Sequence, residues 1–137
     1  MSVYKVKSEQ KVTKIKPLQT VTKINLVNNV NTIIDENGNG YIRVDFNSGD
    51  SVVEIGVIPV NKVIAYTILE VETAGASGIA TIGTNASQGL LMAGADNDLK
   101  EVNMYINYNN IKTTTNETFN IYFNNNSSSG TVTIYYN

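Results

Sequence analysis

The sequence predicts an all-β protein, a jelly-roll-like antiparallel β-sandwich with an extended N-terminal arm. Three observations predict it. Apolar and polar residues alternate at period two over most of the chain, helical periodicity is weak throughout, and clusters of Gly, Asn and Ser punctuate the alternating runs. Seven or eight short strands separated by such turns are the pattern of two sheets packed face to face. A chain of 137 residues buries about two thirds of its unfolded surface, enough for one core without covalent staples.

Taken in order, residues 1–28 read as a basic arm or attachment segment and residues 29–137 as the sandwich body. The arm has β-capable pieces, Val3 to Val6, Val12 to Ile15 and Val21 to Val27, with imperfect alternation. Such pieces suit an extended segment that pairs with a neighbouring chain, and equally ordinary edge strands. In the body, Ile42, Val44 and Phe46 share one strand face, and Val53, Ile55 and Val57 repeat the arrangement before Pro59. Asn47-Ser48-Gly49-Asp50 between them is a turn cluster suited to a hairpin. Val63 to Thr73 reads as a long strand whose odd positions, with Leu69 and Val71, turn inward. Ile79 to Gly83 follows, and Ala86 to Ala95 is where a short turn of helix fits. Val102, Met104, Ile106 and Tyr108 share a face, as do Phe119, Ile121 and Phe123, and then Val132, Ile134 and Tyr136.

Charge divides the chain. Residues 1–23 carry six lysines against Glu9, a balance of +5, while residues 24–137 carry four basic and eleven acidic residues, −7. Candidate docking residues are therefore the arm's lysines and its interleaved apolar positions: Lys5, Lys7, Lys11, Val12, Lys14, Ile15, Lys16, Val21, Lys23 and Ile24. The arm has no Arg and one Tyr, so docking on protein is favoured over nucleic acid, which calls for arginines and interleaved aromatic rings. Lysines on a strand edge also discourage unwanted pairing. No stretch approaches the roughly 18 apolar residues of a membrane span, and Met1 to Lys16 lacks the apolar core of a secretory signal. The expectation is a soluble chain that starts in the cytoplasm of whichever cell makes it.

Chemistry is constrained by what is missing. With no Cys and no His, there is no thiolate, no imidazole base and no common zinc ligand. Asp35-Glu36-Asn37-Gly38-Asn39-Gly40-Tyr41-Ile42 fits the first half of a calcium loop, but the twelfth position, which should be a bidentate Glu, is Phe46. A Gly- and Asn-rich turn feeding a strand explains it as well. Glu70 and Glu72 fall on one strand face, where adjacent acids normally form a solvated surface rather than a catalytic pair across a cleft. Asp96 and Asp98 read as turn formers. No nucleophile and base can be named, so no catalytic residue, cofactor or metal is expected. The eight tyrosines suit sheet surfaces and subunit interfaces, and with Asn they suit sugar binding too. Asn at 20 positions, with many Ile, Lys and Tyr, matches AT-rich codon usage.

One segment carries a family resemblance. Val57-Ile58-Pro59-Val60-Asn61-Lys62-Val63-Ile64, the strand to Val71-Glu72-Thr73-Ala74, and Gly78-Ile79-Ala80-Thr81-Ile82-Gly83 resemble small β-sandwich virion proteins of tailed bacteriophages. There an apolar Ile-Pro turn precedes a long strand ending near Thr-Ala, then a Gly-containing strand ending in Ile-Gly. The resemblance spans roughly residues 53 to 95. It implies a non-enzymatic head-decoration, head-fibre or tail-associated protein, a homotrimer bound to the major capsid or another virion protein. AT-rich residue usage would suit a phage of an AT-rich host, the crAss-like group included. The competing expectations are a tail or fibre adhesin whose tyrosines and Asn-rich loops contact a host glycan, and a calcium-dependent β module.

Overall fold

A computed structural model describes residues 21–27, 30–35 and 39–137. Nine strands form two antiparallel sheets: β1 (Val21–Val27), β2 (Val30–Asp35), β3 (Gly40–Phe46), β4 (Val52–Ile58), β5 (Val63–Thr73), β6 (Ala80–Gly83), β7 (Asn103–Lys112), β8 (Glu117–Phe123) and β9 (Ser129–Tyr136). The six-stranded sheet has the order β1-β2-β3-β9-β5-β7 and the three-stranded sheet β4-β8-β6.

This order is that of a ribbon wound into a roll. β3 pairs with β9, β4 with β8 and β5 with β7, so early strands meet late ones in nested sequence. The ribbon closes on β6, which meets the chain just after it through the Ile82–Met92 bridge. Successive pairs alternate between sheets, and pairings of β9 with β5 and β8 with β6 join them. The result is a jelly roll in which the strand after β6 is reduced to a single bridge. β1 and β2 extend the large sheet beyond β3.

The missing strand is replaced by a loop. Ile82 donates its N–H to the Met92 carbonyl at 3.0 Å, and Leu91 donates to the Ile82 carbonyl at 2.8 Å. Two residues away, the buried Asn97 side chain takes over: Ala80 N–H donates to its Oδ1 at 3.0 Å, and its Nδ2 donates to the Ala80 carbonyl at 2.8 Å. The helical turn expected within Ala86 to Ala95 is a single 3-10 turn at Gly94–Asp96.

Between the sheets lie Ile42, Val44 and Phe46 of β3, Leu69 and Val71 of β5, Phe119 and Ile121 of β8, and Val132, Ile134 and Tyr136 of β9. Leu91, Met92 and Leu99 of the loop complete the core. The Phe46 and Phe123 rings bridge the two layers with centroids 5.0 Å apart. Apolar burial of this kind supplies about 25 cal/mol per Å², so the alternating faces themselves hold the layers together.

Three expectations need correction. Asn47 to Asp50 does turn the chain, with Asp50 N–H donating to the Asn47 carbonyl at 3.1 Å. It does not close a hairpin, because β3 and β4 belong to different sheets. Val53, Ile55 and Val57 do not share an inward face: a bulge between Glu54 and Gly56 inserts Ile55 and reverses the phase, leaving Val57 exposed and Ile58 buried. Inward odd positions hold along β5 only after a register shift between Ile64 and Tyr66, before which Ile64 points in.

Candidate assembly face

The three-stranded sheet covers one side of the large sheet, and the other side carries the chain's most unusual surface. Pleating places alternate residues of every strand on that outer side, and the register lines them up across strands. Tyr108 of β7 pairs with Tyr66 of β5, Tyr66 with Tyr135 of β9, Tyr135 with Tyr41 of β3, and Tyr41 with Ile33 of β2. Four tyrosines thus form a row perpendicular to the strands. Their centroids are 6.0 Å apart for Tyr66 and Tyr108, 4.5 Å for the stacked Tyr66 and Tyr135, and 5.2 Å for Tyr41 and Tyr135. Cross-strand aromatic pairs contribute about 0.2–1 kcal/mol each.

Partial burial of Tyr135, with the Tyr66 and Tyr41 phenols beside it, raises its hydroxyl above the ordinary value against a smaller opposing effect from Arg43. A shallow cleft of about 400 Å³ opens along the row between Tyr41, Tyr66 and Tyr135, with Asn39 and Asn137 at its rim.

Away from the row the face changes character. The next register line is Ile106, Ile68, Thr133 and Arg43, and the one after is Met104, Glu70, Thr131 and Asp45. Glu72 follows at the register shift between Val71 and Thr73. Arg43, Asp45, Glu72 and Thr131 border a polar depression of about 310 Å³. The face therefore runs from aromatic to acidic along the strands and is most apolar at the β7 edge.

Of the docking residues read from sequence, Val21, Lys23 and Ile24 lie in β1, where Lys23 pairs with Ile34 and Ile24 with Ile33. The boundary drawn at residue 28 falls between β1 and β2. Lys5, Lys7, Lys11, Val12, Lys14, Ile15 and Lys16 lie outside the described residues, as do Glu36 to Gly38 of the possible calcium loop. Asp96 is a turn former: its carboxylate accepts from Ala93 N–H at 3.0 Å and from Asn107 Nδ2 at 3.0 Å, and the Asn107 amide, with Ala93, holds it below the ordinary carboxylate value. Asp98 accepts from Lys100 N–H at 2.9 Å. Among the described residues no three carboxylates cluster to hold a metal.

The tyrosine row was not foreseen as a unit. Its signal is present, since each tyrosine sits on a strand, but the row exists only once β9 is placed between β3 and β5.

The fold and this face define a class: a jelly-roll β-sandwich with one side of its larger sheet left open among the described residues. No protein-family model matches the chain, and no curated protein matches it. Among solved structures, it is similar to a chain of the cyanophage Pam1 capsid asymmetric unit, at 15% identity and a TM-score of 0.49, covering 99% of this chain and 98% of that one. At that distance the likeness carries no statement about what this chain binds or does.

Proposed function

We propose that the protein is a non-enzymatic structural component of a tailed-phage virion, a capsid-decoration or head-fibre protein held through its N-terminal segment. The observation that carries this reading is the outer face of the six-stranded sheet. It is broad, aromatic and apolar at one side, and offers packing surface where an enzyme would offer a cleft with convergent acids and bases. The sequence resemblance over roughly residues 53 to 95 and the +5 segment on a −7 body support the same reading. An acidic body is repelled by a surface that attracts the lysines, so charge orients the sandwich outward. The trimer implied by the resemblance belongs to this proposal.

A glycan-binding module has less support. Sugars stack on exposed ring faces, and Tyr66 and Tyr135 stack on each other instead.

The test is attachment to particles that lack the protein. Deleting residues 1–20 leaves β1 whole, and a Lys11, Lys14 and Lys16→Glu variant keeps the full length. Both should bind at reduced occupancy, and wild-type binding should weaken with salt without vanishing. Full occupancy by either variant would sink the attachment role.

A further inference from the structure

β7 is an edge strand whose protections, Lys112 and a bulge at Asn109 and Asn110, sit at its C-terminal end and leave Asn103 to Tyr108 open. Among the described residues it has β5 on one side and no strand on the other. Natural edges are blunted by lysines, prolines or inward-pointing charges, yet Asn103 to Ile111 contains no charged residue and no proline. Its outer face is apolar and solvent-facing: Val102 is 69% exposed, Met104 50%, Ile106 44% and Tyr108 83%. Its inner face is fixed in place, since Asn107 and Asn109 donate from Nδ2 to the Leu91 carbonyl at 3.2 and 2.9 Å. The edge is thus rigid and presented, not frayed.

The backbone orientation is also legible. Met104 N–H donates to the Asn103 side chain at 2.8 Å, which places it on the free side of the strand. Alternation then turns the amides and carbonyls of Ile106 and Tyr108 to the same side. The regular stretch ends at Asn109 and Asn110, opposite Ala65, where the register shifts and Asn110 takes φ 55°.

We infer that β7 pairs antiparallel with β7 of a second copy of this chain, about a two-fold axis through Ile106, joining the two large sheets edge to edge. The strand is complementary to itself in that register. Ile106 faces the partner's Ile106, Met104 faces the partner's Tyr108, and no like charges oppose along the regular stretch. Side by side across the seam, Met104, Ile106 and Tyr108 of the two copies form apolar cross-strand pairs, which stabilise an antiparallel sheet.

The contact is isologous, so the number of copies is even: a dimer, or a pair of trimers where the trimer proposed above also forms. The inference stands on β7 alone and does not depend on the virion reading.

The chain has no cysteine, so Ile106→Cys introduces a unique thiol at the axis. Facing residues of a hydrogen-bonded antiparallel pair have Cα atoms about 5.5 Å apart, within reach of a disulfide or a short bismaleimide. Cross-linked dimer should form with Ile106→Cys and not with Val57→Cys, which is exposed on the other sheet. In light scattering, the full-length protein should show an even number of copies. Ile106→Lys should weaken self-association at least about tenfold, roughly 1.4 kcal/mol, with an unchanged circular dichroism spectrum. Tyr108→Lys, at the most exposed position, should do the same if Ile106→Lys proves unstable. A monomer or a lone trimer, or equal cross-linking at the two cysteine positions, would overturn the inference.

Discussion

The carboxamide of Asn97 pairs with both backbone polar groups of Ala80, accepting from its N–H at 3.0 Å and donating to its carbonyl at 2.8 Å. It does for β6 what a neighbouring strand would do. The amide also reaches the Ala93 carbonyl at 3.3 Å, so one side chain fastens the loop to itself and to the small sheet's edge.

Replacing that side chain should be costly. Asn97→Ala strips Ala80 of two partners in a buried setting, and each unsatisfied group costs about 1–3 kcal/mol. A loss of about 3 kcal/mol in urea unfolding is expected, with faster hydrogen exchange at the Ala80 amide. Asn97→Asp keeps the acceptor but sets a buried carboxylate oxygen against the Ala80 carbonyl, and should cost at least as much at neutral pH. Wild-type stability in Asn97→Ala would show that the loop is held elsewhere.

The tyrosine row predicts an alkaline limb. Tyr135 has its hydroxyl raised in the folded chain, so the folded state favours the neutral phenol more than the unfolded state does. Its contribution is complete below the ordinary tyrosine value of about 10 and is lost as pH rises through the folded value. Stability should therefore fall as pH rises above about 10. Tyr135→Phe, which cannot ionise, should flatten that fall in denaturant midpoints measured across the range. An identical alkaline slope in both proteins would assign it to other groups.

Gly130 sits where β9 passes between β3 and β5. A Cβ there would fall on the Glu70 carbonyl oxygen, which is backbone and cannot swing aside, and lie 3.1 Å from the Phe46 ring. Gly130→Ala should cost about 3 kcal/mol. Gly89→Ala is the control: its nearest neighbour would be 3.6 Å away, and thermal melting should shift by less than about 0.5 kcal/mol.

Calcium should be dispensable. With Phe46 where the loop starting at Asp35 would need its last carboxylate, chelation should leave the melting temperature unchanged. A fall on chelation that Asp35→Ala abolishes would establish a site.

How much of this was legible depends on which physical rule governs each residue. Alternation alone locates β5 at Val63–Thr73 and the inward sets Val132, Ile134, Tyr136 and Phe119, Ile121. It cannot tell which side of a strand is inside. Val102, Met104, Ile106 and Tyr108 share a face as read, but that face is the outer one, and the inner line of β7 is the less apolar Tyr105, Asn107, Asn109 and Ile111. The phase reversal at Ile55 is nearly as hidden, because a bulge is a property of pairing with β8. Gly56, at φ 151°, is its one local trace. Asn97 gave no warning either: among 20 asparagines, nothing in the sequence singles out the one whose amide replaces a strand.

The nested pairing has a consequence for synthesis. β9 lies between β3 and β5 and holds the large sheet together, yet it is translated after the eight other strands. A nascent chain stopped before Ser129 can form local hairpins such as β1 with β2, but it leaves β3 and β5 without their shared neighbour and exposes Ile42, Val44 and Leu69. Such long-range closure is slow compared with local hairpins. Until Ser129–Tyr136 is in place, the large sheet stays split and its apolar inner face adhesive.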